Sequence, residues 1–327
     1  MATEALKVYP VVVPSSFDLQ SFNFYLVKTQ GVLLLVDAGI NSRKCWEELN
    51  RVLKENSMSL KEIDKIVLTH SHADHTGLVN RVLAEHKVPV YAHEDAEARV
   101  KRDANYLAER IKFFRHLYQE MGCGSRGEQQ LKLLERRAVE NASLAIVGDI
   151  YPLHEGDVLD GLEVVETPGH WPDHIILYHQ QEGVLFGGDH LIEHISTNAL
   201  IEPDLNGNKL PTLVQYEQSL KKCQKYEMDT VYAGHGEMIR NPRGLIEKRL
   251  NGIERKAERI NNLIHNIGSC TADMIAREYY SKVYDREFPL VMSEIIGHLD
   301  RLETSGRIEK RKVNGEWMYQ ELDTYTG

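Results

Sequence analysis

The segment HSHADH, at residues 70–75, concentrates three histidines and one aspartate within six positions. It follows IDKIVLT, an apolar run that is typical of a buried strand. Imidazole nitrogens and carboxylate oxygens are the donors that zinc and related divalent cations bind in proteins. The side chains of His70, His72, Asp74 and His75 therefore predict a metal site at the end of that strand.

Three further segments each place one donor of the same kind at the end of a predicted strand. His170 closes TPGH, Asp189 lies in GGDH, and His235 lies in AGHG. A glycine beside each donor lets the backbone come close to a crowded centre. Each segment alone is a weak signal, but strand ends on a shared edge are where open sheets gather ligands. Together with HSHADH, the three segments predict a common metal centre.

Taken in order, these motifs resemble those of the metallo-β-lactamase-fold hydrolases, in which HxHxDH is followed by a histidine, a bridging aspartate and a final histidine. The resemblance spans His70 to His235 and covers roughly the first 240 residues. It implies an α/β fold of the αββα type, in which two sheets are faced by helices and the metals lie at one edge. It further implies that one metal is held by His70, His72 and His170, the second by Asp74, His75 and His235, and that Asp189 bridges both.

Two such cations would support hydrolysis. Divalent ions about 3.5–4 Å apart can share a water and lower its pKa to about 7, which supplies a bridging hydroxide at neutral pH. Asp189 would fix their spacing, and Asp74 would also steer the proton of that water, so these two are the predicted catalytic residues. Zinc is favoured because imidazole dominates the donor set, with iron or manganese as alternatives. His174 and His190 are predicted to orient a ligand or to contact the substrate.

The elements that must position these residues divide the chain. Residues 1–240 alternate short apolar strands with helical stretches, as expected for sheets covered by helices. Between about residues 94 and 142 the pattern becomes purely helical, since apolar residues from Val100 to Met121 recur at steps of 4 and 3. A break at Gly122-Cys123-Gly124 precedes a second helical pattern. We expect a helical hairpin inserted into the catalytic domain, which could be a packed surface element, a lid over the site or a dimer contact.

Residues 241–327 are predicted to form a second unit. An apolar seam from Ile246 to Ile267 predicts a linker helix, followed by two helices and a β-hairpin around Asn314-Gly315. This order is typical of a winged helix. The β-lactamase-like hydrolases that this layout resembles include endoribonucleases. A homo-oligomer could form through the helical hairpin or through the winged helix.

Composition sets broader limits. The chain has 327 residues, with 39 Lys and Arg against 49 Asp and Glu, which gives a net charge of −10. A protein made mainly to grip a phosphate backbone would show the opposite balance. No run resembles a signal peptide or a membrane span, so we expect no membrane partner. The four cysteines are isolated from one another, which favours a reduced, cytoplasmic setting.

Three functional hypotheses follow. The first is hydrolysis of a small ester, thioester or lactone, favoured because no basic track leads toward the metals in the acidic catalytic domain. The loop at residues 193–198 and the hairpin would then form a covered, acidic entrance. The second is an endoribonuclease or phosphodiesterase that acts on single-stranded RNA through basic residues of the winged helix, namely Arg301, Arg307, Lys310, Arg311 and Lys312. The third is a metal-binding protein without catalysis.

Overall fold

The computed structural model describes residues 5–16 and 18–322. Its strands are β1 (Lys7–Pro14), β2 (Ser21–Thr29), β3 (Val32–Val36), β4 (Lys65–Val67), β5 (Val90–His93), β6 (Ile150–Leu153), β7 (Val158–Leu159), β8 (Leu162–Glu166), β9 (Ile175–His179), β10 (Val184–Gly188), β11 (Thr230–Ala233), β12 (Ile308–Val313) and β13 (Glu316–Glu321). Its α-helices are α1 (Arg43–Glu55), α2 (Ala73–Thr76), α3 (Val79–Glu85), α4 (Ala96–Val100), α5 (Ala104–Glu120), α6 (Gly124–Glu140), α7 (Thr212–Cys223), α8 (Pro242–Ile267), α9 (Ala272–Tyr279) and α10 (Phe288–Thr304).

Two sheets pack face to face. The first has the strand order β1-β2-β3-β4-β5-β6, and the second has the order β11-β10-β9-β8-β7. Buried side chains from both sheets, such as Val36 and Phe186, form the layer between them. Helices α1 and α3 cover the outer face of the first sheet, while α7 and α8 cover the second. The predicted αββα sandwich is therefore confirmed.

Local sequence explains these elements. Strand β3 reads VLLLV, and its last four residues are buried because it is covered on both faces. Helix α1 begins after Ser42, whose hydroxyl accepts a hydrogen bond from the backbone amide of Cys45 at 3.1 Å. Its buried residues include Cys45, Leu49 and Val52, which lie on one helical face.

The direction of the strands gathers the candidate ligands at one edge. Strands β3 and β4 are parallel in the first sheet, and β10 and β11 are parallel in the second. Strand β8 has the same direction as β10, since both pair antiparallel with β9. The segments that follow β4, β8, β10 and β11 therefore leave the sandwich at a common edge. These are the segments that carry His70, His170, Asp189 and His235.

Helices α5 and α6 form the predicted hairpin, but the helical seam that precedes the break is divided. Helix α4 ends at Val100 and α5 begins at Ala104. Between them Arg102 has a φ of +54°, a left-handed conformation that no α-helix tolerates. The apolar seam of the hairpin packs against the C-terminal helices, where Phe114, Leu117 and Tyr118 share one core with α8, α9 and α10.

The C-terminal elements continue from α8, a helix of 26 residues. Its first half packs on the second sheet through Ile246 and Ile253, and its second half packs on α9 and α10 through Ile260 and Ile264. Strands β12 and β13 form a hairpin, and an isolated bridge joins Tyr319 of β13 to Cys270. Among the residues that the structure describes, no helix has both the length and the apolar character needed to cross a bilayer.

Candidate metal centre

Three histidine side chains converge at the common edge of the two sheets. His70 Nε2 lies 2.9 Å from His72 Nδ1, and His170 Nε2 lies 3.2 Å from the same atom. One nitrogen of each ring falls within 4.8 Å of the others, a spacing at which the three could share a cation. His70 and His72 come from the segment after β4, whereas His170 comes from the second sheet. The group therefore depends on the packing of one sheet against the other.

A second group lies beside the first. Donor atoms of Asp74, His75 and His235 also fall within 4.8 Å of one another. Asp189 lies between the two groups, since its Oδ1 is 3.3 Å from His75 Nε2 and its Oδ2 is 3.6 Å from His170 Nε2. The structure thus brings all seven predicted ligands together, with the aspartate in contact with both groups.

The unpaired atoms of this cluster test whether a cation fits. His75 Nε2, His235 Nε2 and Asp189 Oδ1 are buried and have no hydrogen-bond partner among the described residues. Buried polar atoms are normally satisfied, because leaving one unpaired costs about 1–3 kcal/mol. Here the unpaired atoms face one another, and all of them are nitrogen or oxygen atoms of the kind that coordinate divalent cations. The residues present fit a metal centre.

Backbone carbonyls fix the orientation of two histidines. His170 Nδ1 lies 2.9 Å from the carbonyl oxygen of Asn198, and His235 Nδ1 lies 2.8 Å from that of Ser21. A carbonyl oxygen only accepts, so each Nδ1 carries a proton and donates it. When such a ring is neutral, its Nε2 atom keeps a free lone pair for the centre.

Asp37 performs the same role for His75, and its role was not predicted from the sequence. One oxygen of its carboxylate lies 2.8 Å from His75 Nδ1, and the other accepts a hydrogen bond of 2.8 Å from the backbone amide of Thr69. The Thr69 hydroxyl donates to Asp37 as well and lies 3.1 Å from His70 Nδ1. The available signal was the position of Asp37, directly after the apolar strand VLLLV, as Asp189 follows VLFGG.

The two groups differ in charge before any metal binds. Burial, together with neighbouring imidazoles, holds the pKa values of His70 and His72 well below the usual histidine value, so both rings are neutral. Burial also disfavours the charged form of His75, but Asp189 and Asp37 outweigh it and raise its pKa well above the usual value. A metal ion at His75 must therefore displace a proton, whereas His70 and His72 are ready to coordinate.

A family model described as "Metallo-beta-lactamase superfamily" matches residues 20–235, the span that holds this cluster. The chain belongs to the metallo-β-lactamase superfamily. The "Probable metallo-hydrolase YqjP" of Bacillus subtilis is 32% identical to this superfamily member over 312 residues, which cover 94% of this chain and 95% of that protein. The "Atrochrysone carboxyl ACP thioesterase" of Aspergillus fumigatus is 25% identical over 255 residues, which cover 78% of this chain and 63% of that protein. The predicted class, a metal-dependent hydrolase, is confirmed.

Solved structures share the fold of this superfamily member over nearly its whole length. A metallo-β-lactamase family protein of Thermus thermophilus superposes with a TM-score of 0.71 at 24% identity, and the match covers 96% of this chain and 98% of that one. A β-lactamase domain protein of Burkholderia ambifaria superposes with a TM-score of 0.77 at 21% identity, covering 98% and 94%. The fold and the His/Asp groups together indicate divalent metals in this superfamily member.

The two additional histidines have different surroundings. His174 is buried beside the cluster, where its Nε2 accepts a hydrogen bond of 3.1 Å from the backbone amide of Asp189. His190 faces the interior, with its Nε2 3.3 Å from Cys223 Sγ, and burial lowers its pKa to about 3. Its ring is fully buried, which does not favour substrate contact, one of the two roles that the sequence suggested. His174 therefore holds the Asp189 backbone, whereas His190 packs in the core.

Gly234 and Gly188 leave no room for a side chain beside the cluster. A Cβ atom at Gly234 would lie 2.5 Å from Asp189 Oδ1 and 2.6 Å from His75 Cε1. At Gly188, where φ is +47°, a Cβ atom would lie 2.6 Å from Thr69 Oγ1. The glycines next to the predicted ligands therefore permit close approach, as the sequence suggested.

The approach to the cluster is basic, which corrects the expected acidic entrance. A cavity of about 260 Å³ lies between the metal edge at residues 71–73 and the hairpin α5–α6, and four arginines line it. The loop at residues 193–198 does not line this cavity. It instead supports the ligands from behind, since Thr197 Oγ1 donates to the carbonyl oxygen of Asp189 at 2.8 Å. The negative net charge of the domain did not reveal this local excess of positive charge.

The basic residues of the predicted wing are mostly neutralised. Arg301 forms ion pairs with Glu217 and Glu254, and Arg307 also pairs with Glu254. Lys310 pairs with Glu303 at 2.6 Å, and Lys312 pairs with Glu120 at 2.5 Å. Four of the five cations that motivated an RNA-binding wing are therefore used to join the C-terminal elements to each other and to the rest of the chain.

Proposed function

We propose that this metallo-hydrolase has a dinuclear centre, with zinc as the native metal, and cleaves a small ester, thioester or lactone. One observation carries the proposal, namely that buried, unpaired donor atoms of His75, His235 and Asp189 face one another beside the histidine triad. Imidazole supplies five of the seven donor side chains, and this balance favours zinc. The proposed ligands are His70, His72, Asp74, His75, His170, Asp189 and His235.

Two divalent cations bound here would supply a water of lowered pKa and would polarise the scissile carbonyl. The chain itself contributes two carboxylates that differ in their exposure to solvent. The Asp189 side chain is only 8% exposed and touches both ligand groups, so it holds them at a fixed separation. The Asp74 side chain is 24% exposed and lies 3.6 Å from His235 Nε2, so it can accept a proton at the face that meets the substrate.

The choice of a small acyl substrate rests on two observations. A relative is named as an acyl carrier protein thioesterase, and the chemistry of a thioester suits a centre that polarises a carbonyl. The pairing of the wing cations with carboxylates removes the main reason to favour RNA.

The four cysteines are buried free thiols, which agrees with a reduced, cytoplasmic setting.

The test combines metal analysis with a substrate panel. Protein reconstituted with zinc is expected to hold two ions per chain and to hydrolyse thioesters, esters or lactones. Asp189→Asn and His72→Ala should lower kcat/KM by more than about 100-fold, since even residues that only orient a ligand are worth about 10–100-fold. His116→Ala, on the exposed side of α5, is the matched control and should keep full activity. Metal content of one ion per chain or less, or turnover of single-stranded RNA without ester turnover, would contradict the proposal.

A further inference from the structure

The cavity between the metal edge and the hairpin has a concentrated positive charge. Arg99 comes from α4, Arg102 from the link after it, Arg110 from α5 and Arg137 from α6. No carboxylate is among the described residues that line the cavity. His72, a proposed metal ligand, lines its inner end. A group bound to the arginines would therefore lie next to the reaction site.

Among these four arginines, only Arg110 forms an ion pair with a described residue. Arg110 forms a two-pronged ion pair with buried Glu202, in which Nη2 and Oε2 are 2.8 Å apart. Arg99 is held by the carbonyl oxygens of Asp95 and Pro203 and forms no ion pair among the described residues. Its charge acts on Asp173 and Asp204, where it favours a lower pKa of each carboxylate. Within the part of the chain that the structure describes, Arg102 and Arg137 have no ion-pair partner. The cavity therefore has more positive charge than the protein itself balances.

Arg102 provides an independent sign of function. It occupies the left-handed position directly after α4, where glycine is the usual residue. The next residue, Asp103, closes the end of the helix by donating its backbone amide to the carbonyl oxygen of Ala98 at 2.9 Å. The Nε atom of Arg102 is buried without a hydrogen-bond partner among the described residues. Burial, and then the charge of Arg110, lower its pKa. A strained backbone that holds an unpaired guanidinium in a cavity beside a reaction centre suggests a ligand-binding role.

We propose that this cavity binds a phosphate or diphosphate on the leaving alcohol or thiol of the substrate. Guanidinium groups match phosphate oxygens in pairs, and the excess of charge suits a dianion better than a single carboxylate. The cavity volume of about 260 Å³ accommodates a phosphate and a short arm, but not a folded or double-stranded polymer. This assignment rests on the proposed esterase or thioesterase activity. In that reaction the water oxygen bonds to the acyl carbon, the bond from that carbon to the leaving sulfur or oxygen breaks, and a proton from the water passes to the leaving atom, while the phosphate is unchanged.

Trp171 shapes the passage between the two sites. Its ring lies 4.2 Å from the ring of His72, centroid to centroid, and its Nε1 donates a hydrogen bond of 2.8 Å to Ser71 Oγ. Trp171, His72 and Ser71 all line the cavity. The indole thus forms an apolar wall along the route from the arginines to the metal edge. A flexible, uncharged arm between phosphate and scissile bond would fit against such a wall.

Direct binding provides the first test. Inorganic diphosphate is titrated into the zinc-loaded protein by calorimetry, with succinate as the dicarboxylate comparison. Arg102→Gly and Arg137→Gln are each expected to weaken diphosphate binding about 10–100-fold, the range for hydrogen bonds to a charged group. Arg102→Gly should not lower Tm, because glycine adopts the left-handed conformation without strain. Arg136→Gln removes an exposed arginine from α6, the helix that carries Arg137, and is the matched control. Equal binding in all four proteins, or tighter binding of succinate, overturns the proposal.

Kinetics provide the second test. Two thioesters with the same acyl group are compared, one on a phosphorylated thiol and one on the same thiol without phosphate. Wild-type protein should prefer the phosphorylated substrate at least about 10-fold in kcat/KM, mainly through KM, and both arginine variants should lose that preference. Turnover without any preference overturns the phosphate site but leaves the proposed activity standing. If no thioester, ester or lactone is hydrolysed, the proposed activity fails, while arginine-dependent diphosphate binding still supports the site. Single-stranded RNA cleavage that both variants lose would assign the arginines to a nucleic acid instead and overturn the proposal.

Discussion

Replacing Asp37 by asparagine should weaken one of the two proposed metal sites without changing the fold. Asp37 has a φ of +57°, and asparagine is among the few residues that tolerate this left-handed backbone. An asparagine oxygen can still accept the 2.8 Å hydrogen bond from the Thr69 amide. The amide NH₂ then takes the place of the oxygen that lies 2.8 Å from His75 Nδ1.

The change reverses the hydrogen bond to His75. A carboxylate accepts a proton from Nδ1, whereas an NH₂ group donates one and requires Nδ1 to be the acceptor. The proton of a neutral ring then moves to Nε2, which faces Asp189 Oδ1 at 3.3 Å and would no longer offer a lone pair to a metal. Changes in such orienting partners typically cost about 10–100-fold in metal affinity, or about 1.4–2.7 kcal/mol.

Zinc affinity is measured by competition with a coloured chelator, and bound metal is counted by elemental analysis. One of the two ions is expected to bind about 10–100-fold more weakly in Asp37→Asn. Asp64→Asn is the matched control, because the Asp64 carboxylate also accepts a backbone hydrogen bond, from Leu33, but touches none of the proposed ligands. Thermal unfolding in the presence of a chelator checks that both variants fold. Two ions bound with wild-type affinity in Asp37→Asn would refute the reasoning.

Two further predictions concern the C-terminal elements. Replacing Arg311 and Lys312 by glutamate should change kcat/KM for ester hydrolysis less than about twofold, and so should raising the salt concentration, because a small substrate releases few counterions. A steep loss of kcat/KM across a salt series would instead favour a nuclease. Glu294 is buried, which raises its pKa, but hydrogen bonds and charge from His298 and Lys256 outweigh burial and hold its pKa at about 2, below the usual 4.5. This carboxylate therefore stabilises the fold above pH 4.5, and its contribution of about 3 kcal/mol is lost as the pH falls toward 2. Urea unfolding at a series of pH values should show a smaller acid loss in Glu294→Gln than in wild type, and identical profiles would contradict this assignment.

Some elements could be predicted because their signals are local. The strand VLLLV and the seam from Ile246 to Ile267 are recognised from apolar runs and 4,3 spacing, which depend on the chain geometry of strands and helices alone. The helical hairpin was likewise predicted from its spacing and from the Gly122-Cys123-Gly124 break. Its division at Arg102 was not, because an arginine rarely adopts the left-handed conformation that ends α4.

The sequence also determined which side chains could bind metal, since HSHADH and the three single donors stand at strand ends in a fixed order. Tertiary structure decided the rest. Only the packing of the two sheets shows that Asp189 touches both ligand groups. Likewise, only the arrangement of strands and helices in space shows that Asp37 orients His75 and that His190 lies in the core. The positive charge of the entrance also could not be predicted from the sequence. Net charge averages over the whole surface, whereas the field in a cavity depends on the few groups that the fold brings within a few ångströms, and here those groups are four arginines from three helices and a link.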